Sequence, residues 1–388
     1  MNENTILSQI PVLSFFTGGG FLDLGFEQAG FKIGWTNEIN EVFAKLYSSG
    51  FTSWRHSQGI NQRSTISEIT SIELLNKSKI FSRAFNNNVP GFFGIIGGPP
   101  CPDFSSAGKH RGAFGERGRL TKSFINLICE IKPAFFVIEN VSGLYKYPKH
   151  RTFLKEIEYQ LKNNNYLVEY KILNALEYGV PQNRERIFIV GIQSKLFSSS
   201  INKAEEIKEW FPWPEPINAN ALTDFSWPGI NKLGRKPSKP IDIPNYLCVN
   251  DCLIPYNKRS SIPNGNDIFN AHSSKFFEIN EGDVSGKSFK RLHRFRYSPT
   301  ACYGNNEVHL HPWEPRRLSL REAMRIQGIP DTYILPDDIS LTDKFKLVSN
   351  GVPVPLSRAV ANSMSQLLQK LEKLEKLKED VSNGYLVK

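Results

Sequence analysis

Apolar residues in the first half of the chain come in short runs separated by turn residues and by helical stretches, which is the rhythm of an open α/β sheet. Val12-Leu13-Ser14-Phe15-Phe16 reads as a strand, Thr17-Gly18-Gly19-Gly20 as a tight turn, and Phe21 to Ala29 as a helix stopped by Gly30. Ile33 to Asn37 reads as a second strand ending at Glu38, followed by a helix over Ile39 to Tyr47, a polar loop over Ser48 to Ser64 and a helix over Thr65 to Leu75. The run Gly91 to Ile96 predicts a short buried third strand, Phe135-Phe136-Val137-Ile138 a fourth, and Lys171 to Leu176 and Ile187 to Gly191 two more. From about residue 193 to residue 314 the pattern breaks down into tryptophans, prolines and polar loops, so this span reads as a second, loop-rich domain. Helical spacing returns at Ser319 to Gln327 and at Ser357 to Leu368, followed by a leucine stripe through Leu371, Leu374 and Leu377. The chain therefore divides into residues 1–192, 193–314 and 315–388, the last returning to the first unit.

The 388 residues are enough for two domains. No apolar run reaches the roughly 18 residues a membrane span needs, and the first ten residues carry no leader-like pattern. The five cysteines are too sparse and odd in number for a disulfide framework, which fits a reducing cytoplasm. Cys248 and Cys252 have no companion pair at finger-like spacing, so no metal site is expected. A net charge of +10 points to a polyanionic partner where the basic residues cluster. They do so in Gly108 to Arg119, which carries Lys109, Arg111, Arg117 and Arg119, and in Lys290 to Tyr297, where Arg291, Arg294 and Arg296 alternate with aromatic residues.

Three strand ends carry candidate chemistry. The glycine turn feeding a helix, with Glu38 about 20 residues on, suits a nucleotide-like cofactor whose ribose hydroxyls the acid accepts. Asp23 stands where a dinucleotide fingerprint would have its third glycine, so S-adenosylmethionine, which has no phosphates to cradle, fits better. Cys101, behind Gly97-Gly98-Pro99-Pro100, is either a nucleophile presented on a stiff turn or a small apolar residue in a loop. Glu139 ends the next buried strand, and converges with Cys101 if the two strands are parallel neighbours. Arg184 and Arg186 alternate along one face of an extended segment, with Glu185 on the other.

In this order the motifs resemble those of the DNA cytosine-5 methyltransferases of bacterial restriction-modification systems. The likeness rests on Phe16 to Gly20 with Gly25, Glu38, Pro100-Cys101, Glu139-Asn140-Val141, Gln182-x-Arg184-x-Arg186, Arg317 to Glu322 with Gln327-Gly328, and Asn350 with Val352. The resemblance implies a doubly wound, mostly parallel α/β sheet of the S-adenosylmethionine-dependent methyltransferase fold, with residues 193–314 as a smaller target-recognition domain. It places catalysis on Cys101, Glu139, Arg184 and Arg186. It places cofactor contacts on Phe16, Gly18, Gly20, Glu38, Ile39, Pro100, Leu120, Asn350 and Val352, with Thr65 and Ile66 aligned where the family has its adenine-binding pair. Ser14, Phe21 and Pro102 depart from the usual motif residues. The implied reaction is methylation of carbon 5 of a flipped-out cytosine through a cysteine adduct, under a lid formed by Gly108 to Arg119. The implied partners are double-stranded DNA, bound by a monomer, and an endonuclease acting on the same site. A transfer-RNA cytosine methyltransferase and an inactive DNA-binding regulator are the competing expectations.

Overall fold

The computed structural model describes residues 10–61, 67–100, 116–197, 209–270, 272–303 and 307–382. Strand β1 (Pro11–Phe15) enters the glycine turn and helix α1 (Phe21–Gln28), followed by β2 (Lys32–Asn37), α2 (Glu41–Ser57) and α3 (Lys77–Phe85). Next come β3 (Gly94–Gly97), α4 (Glu116–Ile131), β4 (Phe135–Val141), the short α5 (Gly143–Lys146), α6 (Pro148–Asn163), β5 (Tyr166–Asn174) and β6 (Glu185–Gln193). These strands form one six-stranded sheet in the order β2-β1-β3-β4-β6-β5. The pairings of β1 with β2, β1 with β3 and β3 with β4 are parallel, and β6 runs antiparallel to both neighbours.

Helices cover both faces, as a doubly wound sheet requires. Phe124, Ile125 and Ile128 of α4 and Phe153, Leu154 and Ile157 of α6 pack on one face with Ile95, Phe136 and Ile138. The other face buries Phe26 of α1 and Leu356, Val360 and Met364 of the C-terminal helix against Val12, Phe135 and Val137. Gly94 and Gly97 keep β3 thin for a reason: a Cβ at Gly94 would enter the Phe135 ring and one at Gly97 the Phe124 ring.

The later elements are α7 (Ala221–Asp224), α8 (Lys275–Glu278), β7 (Phe289–Arg291), β8 (Val308–Leu310), α9 (Leu320–Ile326), α10 (Leu341–Asn350) and α11 (Val354–Ser382). Only the parallel pair β7–β8 forms a second sheet among the described residues. Ser319 opens α9 with a capping box completed by Glu322. α11 returns to the first unit, and Ser357 donates to the Leu22 carbonyl at 2.7 Å, against Gly25. No helix is long and apolar enough to cross a membrane among the described residues.

Two expected segments differ. The helix entered after Glu38 runs on to Ser57, through residues read as polar loop, because Phe51 and Trp54 continue its buried face. The helix expected over Thr65 to Leu75 is reduced, in its described part, to one short 3-10 turn at Ile72–Leu74. Before it, Glu68 pairs with the end of β2, donating to Thr36 O at 2.9 Å and accepting from Glu38 N at 3.0 Å. Helix starts instead at Lys77, where the Asn76 side chain caps Lys79 N at 2.9 Å.

Candidate active site

Strand register alone gathers the site. Phe15 pairs with Gly97 and Gly97 with Ile138, so Phe16, Gly98 and Glu139 follow one another across the carboxyl edge of three parallel strands. Gly98 leads through Pro99 and Pro100 towards Cys101, which lies outside the described residues. A Cβ on Gly98 would stand 3.0 Å from Glu139 Oε2, so the carboxylate rests directly over the approach to the cysteine.

Glu139 is buried, and its Oε1 receives Arg186 Nε at 2.8 Å. Burial raises its pKa, with Arg186 and Arg184 pulling the other way. Arg186 reaches it because Arg186 pairs with Val141 across the β4–β6 ladder. Glu185 points away and pairs with Lys146. Arg184 has a different position from the one its alternation with Arg186 suggests. Wholly buried, it donates to Ser349 O at 2.8 Å, Gly351 O at 3.0 Å and Ala301 O at 3.3 Å. It therefore ties the chain around Asn350 to the start of β6. Burial first, then Arg186, lowers its pKa to about 9, which leaves it a cation at neutral pH.

The cofactor side is built on a strained turn. Phe16 takes a left-handed φ of 52°, as do Gly18 at 54° and Gly20 at 67°. Gly20 has no room for a side chain above Tyr47 and Phe51, whereas the space beyond Gly18 is open. Gly18 N donates to Glu38 Oε2 and Asn40 N to Glu38 Oε1, each at 2.8 Å. These bonds orient the carboxylate and leave it lone pairs for two further donors. Burial raises the Glu38 pKa, and the two amides oppose it. Ile39 beside it is 61% exposed, an uncovered apolar side chain at the mouth of the turn. The Phe16 ring meets Phe124 edge-on at 5.6 Å, one helical turn from Leu120. Gly351 abuts the Phe21 ring, which brings exposed Asn350 and buried Val352 alongside. An open glycine cradle, an oriented carboxylate with spare acceptors and exposed apolar flanks fit an adenosyl group carrying a ribose diol.

Thr65 and Ile66 lie outside the described residues. The structure instead brings Ser67, Glu68 and Ile69 to this mouth: Ser67 bonds Thr36 at 2.8 Å, and Asn37 donates to Glu68 O at 2.6 Å. Ile69 is 44% exposed, so an acid followed by an uncovered isoleucine repeats the Glu38-Ile39 pair. That repetition was the available signal in the sequence. Tyr333 was also missed: its hydroxyl donates to Gly19 O at 2.7 Å, across most of the chain.

The basic stretches are corrected in part. Arg291 is fully buried, giving hydrogen bonds to the carbonyls of Ile279 at 2.7 Å, His311 at 2.5 Å and Glu314 at 3.0 Å, and to Phe276. Arg294 is buried in a two-bond pair with Glu281, 2.8 Å for each bond, and lies 4.3 Å from the Trp313 ring centre. Neither guanidinium is available to a phosphate. Arg296 is half-buried against Tyr297, and exposed Arg119 pairs with Glu73 at 2.9 Å. Arg117 falls in the first turn of α4, and Lys109 and Arg111 lie outside the described residues. Cys248 and Cys252 are buried free thiols, and no cluster of metal-ligating residues occurs among the described residues.

Comparison with known proteins agrees with this geometry. The chain is 39% identical over 363 residues to the Type II methyltransferase M.NmeDI of Neisseria meningitidis serogroup C, covering 92% of this chain and 84% of that one. It is 31% identical over 390 residues to the Type II methyltransferase M.FnuDI of Fusobacterium nucleatum, covering 92% and 95%. Among solved structures, an Escherichia coli prophage protein described as a DNA modification methyltransferase superposes with a TM-score of 0.64 at 23% identity, over 93% of this chain and all of that one. Residues 10–366 match the family model for the C-5 cytosine-specific DNA methylase, and the chain belongs to that family of S-adenosylmethionine-dependent DNA methyltransferases.

Proposed function

We propose that the chain methylates one cytosine within a specific duplex sequence, as the modification half of a restriction-modification system, with Cys101 as nucleophile and Glu139 as acid. The observation that carries this reading is the Glu139 carboxylate, paired with Arg186 and lying over Gly98 on the approach to Cys101. The Type II names of the relatives support the biological role. An endonuclease of the same specificity and a monomer acting on cytoplasmic DNA belong to the same proposal.

Carbon 5 of cytosine is a weak nucleophile. Addition of the Cys101 thiolate to carbon 6 pushes electron density onto carbon 5, while negative charge gathers at N3 and O2. A buried Glu139 that holds its proton is suited to donate it to N3, and Arg186 to bond O2. S-adenosylmethionine supplies an electrophilic methyl group. The turn Phe16 to Gly20, Glu38, Ile39, Pro100, Leu120, Asn350 and Val352 would hold it, with Ser67 to Ile69 beside the adenine in place of Thr65 and Ile66. Water then takes the carbon 5 proton, Cys101 leaves as the thiolate, and N3 returns its proton to Glu139. The base must leave the duplex to reach this rim, at a few kcal/mol of unstacking. Lys109, Arg111, Arg117 and Arg119 are suited to close on the DNA as a lid. In residues 193–314, taken as the target-recognition domain, Arg296 is the remaining candidate for DNA contact.

Cys101→Ala should lose methyl transfer to duplex DNA and retain binding of DNA and S-adenosylhomocysteine. Duplex carrying 5-fluorocytosine at the target should trap the wild type covalently, because fluorine cannot leave as the proton does. Methylation by the variant overturns the covalent route. A preference for transfer RNA over duplex in the same assay overturns the substrate.

A further inference from the structure

Beneath the glycine turn lies a carboxyl group that the chemistry above leaves unused. Asp23, in α1, is wholly buried, and its Oδ1 accepts the Ser14 hydroxyl at 2.7 Å. Its Oδ2 is buried without a hydrogen bond. The charged neighbours do not compensate it, since Arg55 of α2 is already paired with Glu27 of α1. The remaining titratable groups facing it are the phenols of Tyr47, from α2, and Tyr333, from the segment after α9, and the latter is committed to Gly19 O. Ser14 continues towards Thr17 at 3.4 Å, and Thr17 donates to Asn37 O at 3.2 Å. Ser14 and Thr17 therefore stand side by side between Asp23 and Gly18, whose amide orients Glu38.

A carboxylate in this setting would be an unpaired buried charge, which the group avoids by keeping its proton. A neutral acid can also donate from Oδ2, and the Tyr47 ring is the floor on which Gly20 rests. We propose that Asp23 is a positioning residue that works as a neutral carboxylic acid, holding Ser14, Thr17 and Tyr47 so that the turn is shaped for S-adenosylmethionine. Its ionisation places an uncompensated charge beneath the turn, which disturbs the packing there and weakens cofactor binding as the pH rises. Burial is the main cause of a pKa raised to about 7, with the Ser14 hydroxyl opposing, the Glu27 charge adding to it, and the Tyr47 hydroxyl and Arg55 opposing less, which puts the change within the working range. The inference rests on the reading of Phe16 to Gly20 and Glu38 as the cofactor site.

The test is calorimetric binding of S-adenosylhomocysteine to the full chain from about pH 6 to about pH 8.5, for wild type and Asp23→Asn. The ligand's amino group titrates with both proteins, so the ratio of the two affinities is the readout. Wild-type affinity should fall relative to the variant by about tenfold, up to the roughly thirtyfold ratio of ionised to neutral acid expected 1.5 units above its pKa. Equal slopes, or a variant that binds worse at the low end, overturn the proposal. Should Asp23→Asn fail to fold, Ser14→Ala decides: removing the bond that stabilises the anion moves the pH break upward, and an unmoved break overturns the proposal. Glu38→Gln tests the underlying site separately. It should weaken binding at every pH, and unchanged binding would remove the cofactor reading itself.

Discussion

Arg184 is a catalytic candidate from its motif, while its contacts suit a fastener; replacing it with methionine separates the two roles. Two of its bonds, to Ser349 O at 2.8 Å and Gly351 O at 3.0 Å, have good geometry, and the third, to Ala301 O at 3.3 Å, is weak. Bonds from a charged donor contribute about 1.5–3 kcal/mol each, and a stranded buried carbonyl costs about 1–3 kcal/mol. Against this stands relief from holding a cation in the interior, the burden that lowers the arginine's pKa to about 9. A net loss of about 3–5 kcal/mol follows, the range for breaking a buried charged network. Because the stranded carbonyls flank Asn350, part of the loss should appear as cofactor affinity weakened by about one to two orders of magnitude, each order being about 1.4 kcal/mol. Urea denaturation reads the first quantity and calorimetry with S-adenosylhomocysteine the second. Single-turnover methyl transfer at saturating cofactor should change less than about fivefold if the side chain serves only the carbonyls of residues 301, 349 and 351. Arg184→Lys keeps one charge without the fork and should fall between. A rate loss of about a hundredfold or more with stability and affinity intact would refute the fastener and restore the catalytic role.

Four other outcomes follow from single contacts. Glu139→Gln should slow single-turnover methylation by about 10²–10⁴-fold, as loss of a positioned acid does. The raised pKa keeps wild-type Glu139 protonated to higher pH than a free carboxyl group, so wild-type rates should fall on the alkaline side, and the variant should lack that limb. Tyr333→Phe strands Gly19 O and should weaken cofactor binding by about tenfold, measured by calorimetry, with DNA affinity unchanged. Arg291→Ala should lower the denaturation midpoint without changing the salt dependence of DNA binding, whereas a phosphate contact would reduce that slope by about 0.9. Asp23 has its pKa raised on folding from an ordinary 3.8 to about 7, so the native state holds the extra proton. Wild-type stability is then fully present below the lower value and declines through that window, by on the order of 4 kcal/mol, a decline Asp23→Asn should abolish in urea titrations.

What the sequence made legible was the row of strand ends. Apolar runs that stop at Phe16, at Gly97 and at Glu139 define three strands, and parallel pairing brings their ends together without further information. The fate of each cation was not legible, because it depends on acceptors that arrive from elsewhere in the chain. Lys290 to Tyr297 has the composition of a DNA-contacting stretch, yet Arg291 meets carbonyls from residues 276, 279, 311 and 314, and Arg294 meets Glu281. The helix expected over Thr65 to Leu75 failed for a related reason, since the backbone at Glu68 finds its partners on β2. Local propensity yields to a neighbouring strand's open edge.

Arg184 and Arg186 show how little separates these fates. They stand two residues apart and share a face. Arg186 lies within the β4–β6 ladder, opposite Val141, and meets a carboxylate at the strand ends. Arg184 lies one residue before β6 begins and meets the carbonyls of residues 349 and 351. Carbonyls are neutral, so Arg184 keeps its charge in the interior and contributes structure. The carboxylate of Glu139 carries a proton equilibrium, so Arg186 modulates an acid. The same guanidinium does different work according to whether its acceptor can titrate. The same rule bears on Asp23: with Arg55 already committed to Glu27, its carboxyl group has no ion-pair partner of its own, and burial favours its protonated form.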